Sequence, residues 1–328
     1  MSALVRVEDL HVRFRTAERT VHAVNGVDLS LGQGEVLGLL GESGSGKSVT
    51  LRSLLRLLPE RRTQTKGRIE VAGHDVLALE GAALRAYRGK VVSMIFQEPM
   101  LAFDPVFTIG DQIAEAVMRH ERADRAAGRA RALEMLERVR IPSARRRLDA
   151  YPHEMSGGMR QRAMIALALA CRPRVLLADE PTTALDATVQ IQILLLLREL
   201  QKEFGMGVIF VTHDIGVALE VSDRLAVMYA GRIVERGSAR DLIRATAHPY
   251  PRGLLASTVH GAMRGRRLDA IPGAPPDLSQ VPEGCAFAPR CRLAEPACVA
   301  ARPPVVEIGE AHVAECRRPV TGSVPAEG

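Results

Sequence analysis

Apolar and polar positions alternate at the start of the chain (Leu4, Arg6, then Val12, Arg13, Phe14), and residues 21–31 repeat the pattern. A period of two sends successive side chains to opposite faces, so both stretches predict antiparallel strands. Val36–Leu40 is apolar throughout, as in a strand buried on both faces, and a glycine-rich turn follows it at once. Helical spacing then runs over residues 48–58 and stops at Pro59. Strands are predicted at 67–71 and 91–96, and a helical stretch from about 108 to 149 is interrupted at Pro142. Further along, a helix opens at Ser156. After it come a strand at 175–178, a helix at 189–204, a strand at 208–211, a helix at Ile215–Val221 and a strand pair within 225–235.

Strands alternating with helices of this length imply an α/β fold with a mainly parallel sheet covered on both faces. The alternating start predicts an antiparallel β subdomain, and the stretch of about 100–170 a helical one. Beyond His248 the chain turns proline-dense and loses its period. The expected division is therefore a domain of residues 1–245 and an extension of residues 246–328, with the boundary near 244–247.

Composition changes little. The longest apolar stretches, near 163–171 and 191–197, are too short to span a bilayer, and no secretory signal opens the chain. A cytosolic protein is predicted, reaching any membrane through a partner. The net charge of +6 is almost all arginine dispersed among acids. With aromatics at 3% and no tryptophan, a nucleic-acid surface is disfavoured.

Gly41-Glu-Ser-Gly-Ser-Gly-Lys47-Ser48 fits the G-x-x-x-x-G-K-S pattern and sits between a buried strand and a helix. Glycines there let backbone N–H groups curl around a phosphate, and the helix N-terminus adds partial positive charge. Gly41, Ser43, Gly44, Gly46, Lys47, Ser48 and Val49 are the expected nucleotide-binding residues. Lys47 would reach the β and γ oxygens, and Ser48 would hold Mg²⁺. Residues 175–178 then deliver Asp179 and Glu180 to a strand end, Asp179 as a Mg²⁺ partner and Glu180 as the base for an attacking water. These two motifs predict a P-loop hydrolase.

Between them, Met155-Ser156-Gly157-Gly158-Met159-Arg160-Gln161-Arg162 resembles the signature of the ATP-binding cassette (ABC) family. The resemblance implies the fold of a P-loop ABC nucleotide-binding domain with a Cys-rich C-terminal extension. It also implies that Ser156, Gly157, Gly158 and Gln161 of one cassette contact the ATP held by a second. Gln97 resembles the loop glutamine that contacts Mg²⁺, Asp186 the residue communicating across the dimer, and His213 the switch histidine at the γ-phosphate. Phe14 is the one candidate for stacking adenine. Gln97-Glu-Pro-Met, Pro152-His-Glu-Met and His248-Pro-Tyr resemble the oligopeptide, dipeptide and nickel importer group, as do Ile271-Pro-Gly-Ala-Pro-Pro and the cysteine tail.

That group implies an ATPase importing peptides, or nickel or another small solute, at the cytoplasmic face of the cell membrane. Its partners would be a second ABC subunit (a paralogue or a copy), two permeases and an extracytoplasmic solute-binding protein, with no nucleic acid. A soluble ABC ATPase of DNA repair or translation is the rival; the chain lacks the coiled-coil insertion or second cassette such proteins often carry.

Cys171 reads as a small buried hydrophobe. Cys285, Cys291, Cys298 and Cys316, separated by five, six and seventeen residues, lack the tight pairs of zinc knuckles. Spacing leans weakly to an iron–sulfur cluster and leaves zinc or free thiols open; the resemblance implies a 4Fe–4S cluster of structural role.

Overall fold

The two alternating stretches form the strands Val5–Arg15 and Thr20–Leu31, each with one face buried over most of its length. The computed structural model describes residues 3–183, 185–257 and 271–320. These form two compact units, each gathered from separate stretches of chain: Met1–Leu4, Leu31–Glu35 and Val71–Phe210 in one, and Val5–Ser30, Val36–Glu70 and Val211–Gly328 in the other.

In the first unit, Val92–Ile95 and Val175–Asp179 pair in parallel, Val92 opposite Val175 and Ile95 opposite Ala178. All five residues of the second strand are buried, as its apolar run requires. The expected long helix at 108–149 is three helices, Ile109–Glu121, Arg125–Arg138 and Ala144–Arg147. It breaks first at Arg122, which takes a left-handed φ of 55°, and restarts where the Asp124 carboxylate accepts the Ala127 N–H at 2.8 Å. An aspartate before an alanine-rich run is a strong N-cap, so the break is local chemistry that periodicity does not register. Ile113, Ala114 and Val117 of the first helix and Ala132, Met135 and Leu136 of the second are buried. At Gly128 the helices come close, since a Cβ there would lie 3.0 Å from the Ala114 carbonyl. Gly157–Leu169 is buried on nearly every side, and Ala187–Phe204 follows the strand Val175–Asp179. Each large apolar side chain so buried contributes about 1.5–3 kcal/mol.

In the second unit, Val5–Arg15 lies between Thr20–Leu31 and Thr63–Val71. A further sheet has Val36–Leu40 parallel to Arg224–Tyr229, with Leu37 opposite Arg224. Arg224–Tyr229 turns back antiparallel into Arg232–Ser238. That strand also pairs with His312–Glu315, which closes a hairpin with Val305–Gly309. Neither this hairpin nor the helix Pro249–Ala256 is predicted by periodicity, and both lie in the proline-dense region. Proline is harmless at the helix start, where its missing N–H has no partner to lose, and His248 Nδ1 accepts the Tyr250 N–H at 3.0 Å. Burial pushes the His248 imidazole down to about 3, so it stays neutral and able to accept.

One buried carboxylate ties these late elements together. Glu235 accepts the N–H groups of Ala247 at 2.9 Å and His248 at 2.7 Å, and meets His312 Nε2 at 2.8 Å. Burial holds its carboxyl above the usual range, against the pull of the two backbone donors and the histidine. Glu235→Ala strands those donors and is expected to cost about 3 kcal/mol. Glu235→Gln, which keeps one acceptor, should cost clearly less. Denaturant unfolding of both variants checks the order, and equal losses would show that packing alone sets the site.

Candidate functional site

The glycine loop lies in the second unit, and its shape follows from residues that cannot be larger. Gly46 has φ 104°, and a Cβ there would sit 2.4 Å from the Ala23 carbonyl; one at Gly41 would sit 2.2 Å from that of Met228. Gly231 N–H donates to Ser45 O at 2.9 Å, which ties the loop to the turn after Arg224–Tyr229. Lys47 is buried and curls back over the loop, with Nζ donating to Gly41 O at 2.6 Å and Glu42 O at 2.8 Å. Ser43 and Gly44 are exposed at the rim, Ser48 and Val49 are half-buried, and the helix Lys47–Leu54 opens directly from Gly46. The Ser45 hydroxyl is buried without a protein partner. A glycine-rich turn opening a helix, a lysine hung on carbonyls and an orphaned hydroxyl suit an anionic ligand. His213 follows Thr212 at the end of its strand and is exposed; Phe14 is half-buried on Val5–Arg15.

The remaining predicted residues lie in the first unit. Gln97 is exposed just past Val92–Ile95. Asp179 is buried as the last residue of its strand, and Glu180 follows with a left-handed φ of 47°. A non-glycine residue there is strained, and such strain is often kept where it aims a functional group. The Thr183 hydroxyl donates to Glu180 Oε2 at 3.0 Å. Ser156 caps Gly157–Leu169, its Oγ accepting the Met159 N–H at 3.3 Å, while Gln161 is buried one turn later. Ser156 and Gly157 are exposed, and a Cβ on Gly157 would meet nothing within 4 Å. Gly158 has less room, with Val189 Cγ1 at 3.0 Å. Asp186 caps Ala187–Phe204 through the Val189 N–H at 2.9 Å.

The expectation of a metal at the four tail cysteines is overturned. Among the described residues no three His, Cys, Asp or Glu side chains are grouped to hold a metal ion. Cys285, Cys291, Cys298 and Cys316 instead line one small cavity with Phe287, Pro249 and Pro303, of about 20 Å³. That is room for about one water molecule, not a cluster of iron and sulfide. Burial raises the thiols of Cys285 and Cys291 and carries Cys316 to about 11. Metal binding and the iron–sulfur or zinc assignment fall away, and the cysteines are free thiols. Cys171 is buried and pushed up to about 11, as a packing residue would be.

Three residues at the loop are absent from the motif reading. Glu42, a variable position of the pattern, donates its N–H to Tyr250 Oη at 2.8 Å, and its carboxylate receives Arg290. His248-Pro-Tyr and Pro289-Arg290-Cys291 carry the only sequence signal for them.

The ABC transporter family model matches residues 24–183, and the model of the oligopeptide/dipeptide transporter C-terminal region matches residues 234–298. A putative peptide import ATP-binding protein of Brucella abortus (strain 2308) is 49% identical over 327 residues, which span 96% of this chain and 97% of the relative. The dipeptide transport ATP-binding protein DppD of Bacillus subtilis (strain 168) is 45% identical over 317 residues, 96% of this chain and 95% of DppD. Among solved structures, the ATP-binding cassette MJ0796, in a dimeric post-hydrolysis state bound to ADP and Pi, superposes with a TM-score of 0.65. It is 29% identical and covers 72% of this chain and 99% of its own. The glycine loop, the acidic strand end and the capped signature helix thus stand in a chain whose relatives match it almost end to end, and the chain belongs to the ABC transporter family as an ATPase with an oligopeptide/dipeptide-type C-terminal region.

Proposed function

We propose that this chain is the ATP-hydrolysing subunit of a peptide importer, working at the cytoplasmic face of a membrane. Its partners in this reading are a second ABC subunit, two permeases and an extracytoplasmic solute-binding protein. The observation that carries it is the glycine loop before the helix Lys47–Leu54, with Lys47 suspended on the carbonyls of Gly41 and Glu42. The printed names of the relatives, peptide import and dipeptide transport, support the substrate class. No helix among the described residues is long and apolar enough to cross a membrane, so a membrane role calls for a partner. Exposed Met100, Val106 and Phe107, close after Gln97, are apolar surface suited to a permease.

The roles follow from chemistry. Gly41, Ser43, Gly44, Gly46, Lys47, Ser48 and Val49 bind the phosphates, and Ser48, Gln97 and Asp179 would hold Mg²⁺, which supplies charge neutralisation at the β and γ oxygens. Glu180 takes a proton from water as its oxygen attacks the γ-phosphorus and the bond to the β–γ bridging oxygen breaks, leaving ADP and phosphate. His213 bonds the γ-phosphate. Ser156, Gly157 and Gly158 face the nucleotide of the partner subunit, while burial takes Gln161 out of the direct contact that the resemblance implies, and Asp186 relays the nucleotide's state.

Glu180→Gln removes the base and keeps the shape; turnover is expected to fall about 100-fold or more while ATP still binds. Steady-state hydrolysis within tenfold of the parent would reject the assignment. Gly157→Asp tests the partner contact, because the helix start has space for the side chain and favours its charge. Melting temperature should hold or rise, whereas hydrolysis should drop at least about tenfold as a carboxylate meets the partner's γ-phosphate. Unchanged hydrolysis, or full activity in a protein kept monomeric, would remove the shared-site reading.

A further inference from the structure

The phosphate loop is gripped from behind by residues of the C-terminal region. Arg290 forks onto Glu42, Nη1 to Oε2 at 2.8 Å and Nη2 to Oε1 at 3.1 Å. Its Nη1 also donates to Tyr229 Oη at 3.2 Å and its Nε to the Pro272 carbonyl at 2.9 Å. The guanidinium lies 5.8 Å from the ring centre of Tyr229 and 5.9 Å from that of Phe287, and only 6% of the side chain is exposed. Tyr250, wholly buried, accepts the Glu42 N–H. With Lys47 on its carbonyl, Glu42 is held at all three of its polar groups.

A carboxylate inside a phosphate loop is an electrostatic liability, because it stands near where a triphosphate brings further negative charge. Its cost depends on a counter-charge that cannot turn away. Arg290 supplies one, in a fork whose geometry is set by two aromatic rings and a backbone carbonyl. The hydrogen bonds with Glu42 and Tyr229 raise the guanidinium's affinity for its proton, so the charge is permanent.

We propose that Arg290 and Tyr250 are positioning residues through which the C-terminal region sets the nucleotide affinity of the phosphate loop. Arg290 neutralises and orients Glu42, and Tyr250 fixes the backbone where the loop begins. The proposal rests on the reading of Gly41–Val49 as the nucleotide site. It assigns the segment around Cys285–Cys291 a part in ATP binding, through Arg290 and Phe287, that needs no metal.

The test is titration of the full-length protein with a fluorescent ATP analogue, in parallel with KM and kcat. Arg290→Ala should weaken binding about tenfold or more, the scale of a lost hydrogen bond to a charged group, and raise KM for ATP by a larger factor than it lowers kcat. Adding Glu42→Gln to Arg290→Ala should restore at least half of that loss on a logarithmic scale, because the exposed carboxylate is gone. Arg290→Lys, which keeps the charge and loses the fork, should fall between. Tyr250→Phe, a single-oxygen change that spares the fold, should weaken binding about three- to tenfold. Lys47→Ala separates the two readings: if it binds the analogue like the parent, the loop is not the nucleotide site and the proposed function fails. If it loses binding while Arg290→Ala and Tyr250→Phe stay within twofold of the parent, the brace is overturned. A loss in Arg290→Ala that Glu42→Gln does not relieve overturns it as well.

Discussion

A loop made of glycine and serine has almost no side-chain mass with which to hold its own shape. Everything at this site depends on that constraint. The backbone of Gly41–Ser48 is shaped from outside, by the Met228 and Ala23 carbonyls that leave no space for a Cβ and by the Gly231 N–H on Ser45. Lys47 completes the enclosure from within. The same absence of side chains that lets N–H groups face an anion makes the loop dependent on its neighbours. The strand Arg224–Tyr229 and the turn beyond it therefore shape this loop although they carry no motif residue.

Dependence of this kind recurs on the C-terminal side. Glu42 and Glu235 are both held by groups from the last third of the chain: Arg290 meets the half-buried carboxylate of Glu42 and Tyr250 accepts its N–H, while Ala247, His248 and His312 meet the buried carboxylate of Glu235. Removing part of such a set leaves charge or donors buried without partners, which is more costly than never having placed them. The C-terminal region is thus bonded into the unit that carries the phosphate loop. Free thiols in a small cavity are compatible with that role, since what the region contributes is an arginine, a phenol and a hairpin strand.

The predicted residues of the other unit show how one bond can serve two ends. Ser156 and Asp186 each cap a helix with their own side chains, an ordinary start signal. Beside the first of these caps the surface at Gly157 is open. Glu180 is different. Its left-handed backbone departs from local preference directly after a regular buried strand.

Local physics explains how much could be read in advance. Val36–Leu40 and Ile215–Val221 are the elements their periodicity predicts, and the helix after Ser156 starts where its cap requires, because burial pattern and capping are short-range properties. The break at Arg122 escaped because it rests on one aspartate within a continuous apolar period. The helix Pro249–Ala256 and the hairpin ending at Glu315 escaped because proline masks the period and the hairpin's partner strand lies far away in sequence. For the cysteines, spacing and resemblance spoke of a metal, while the size of the cavity they line was set by Phe287 and the prolines around it. Motif spacing alone marked a glycine loop before a helix, an acidic strand end and a serine-capped helix, since each is built within a few residues by backbone geometry. That Glu42 is answered by Arg290, across 248 positions, was decided only by tertiary structure: no local rule links two charges that meet only when the sheet, the aromatic cluster and the C-terminal region have packed.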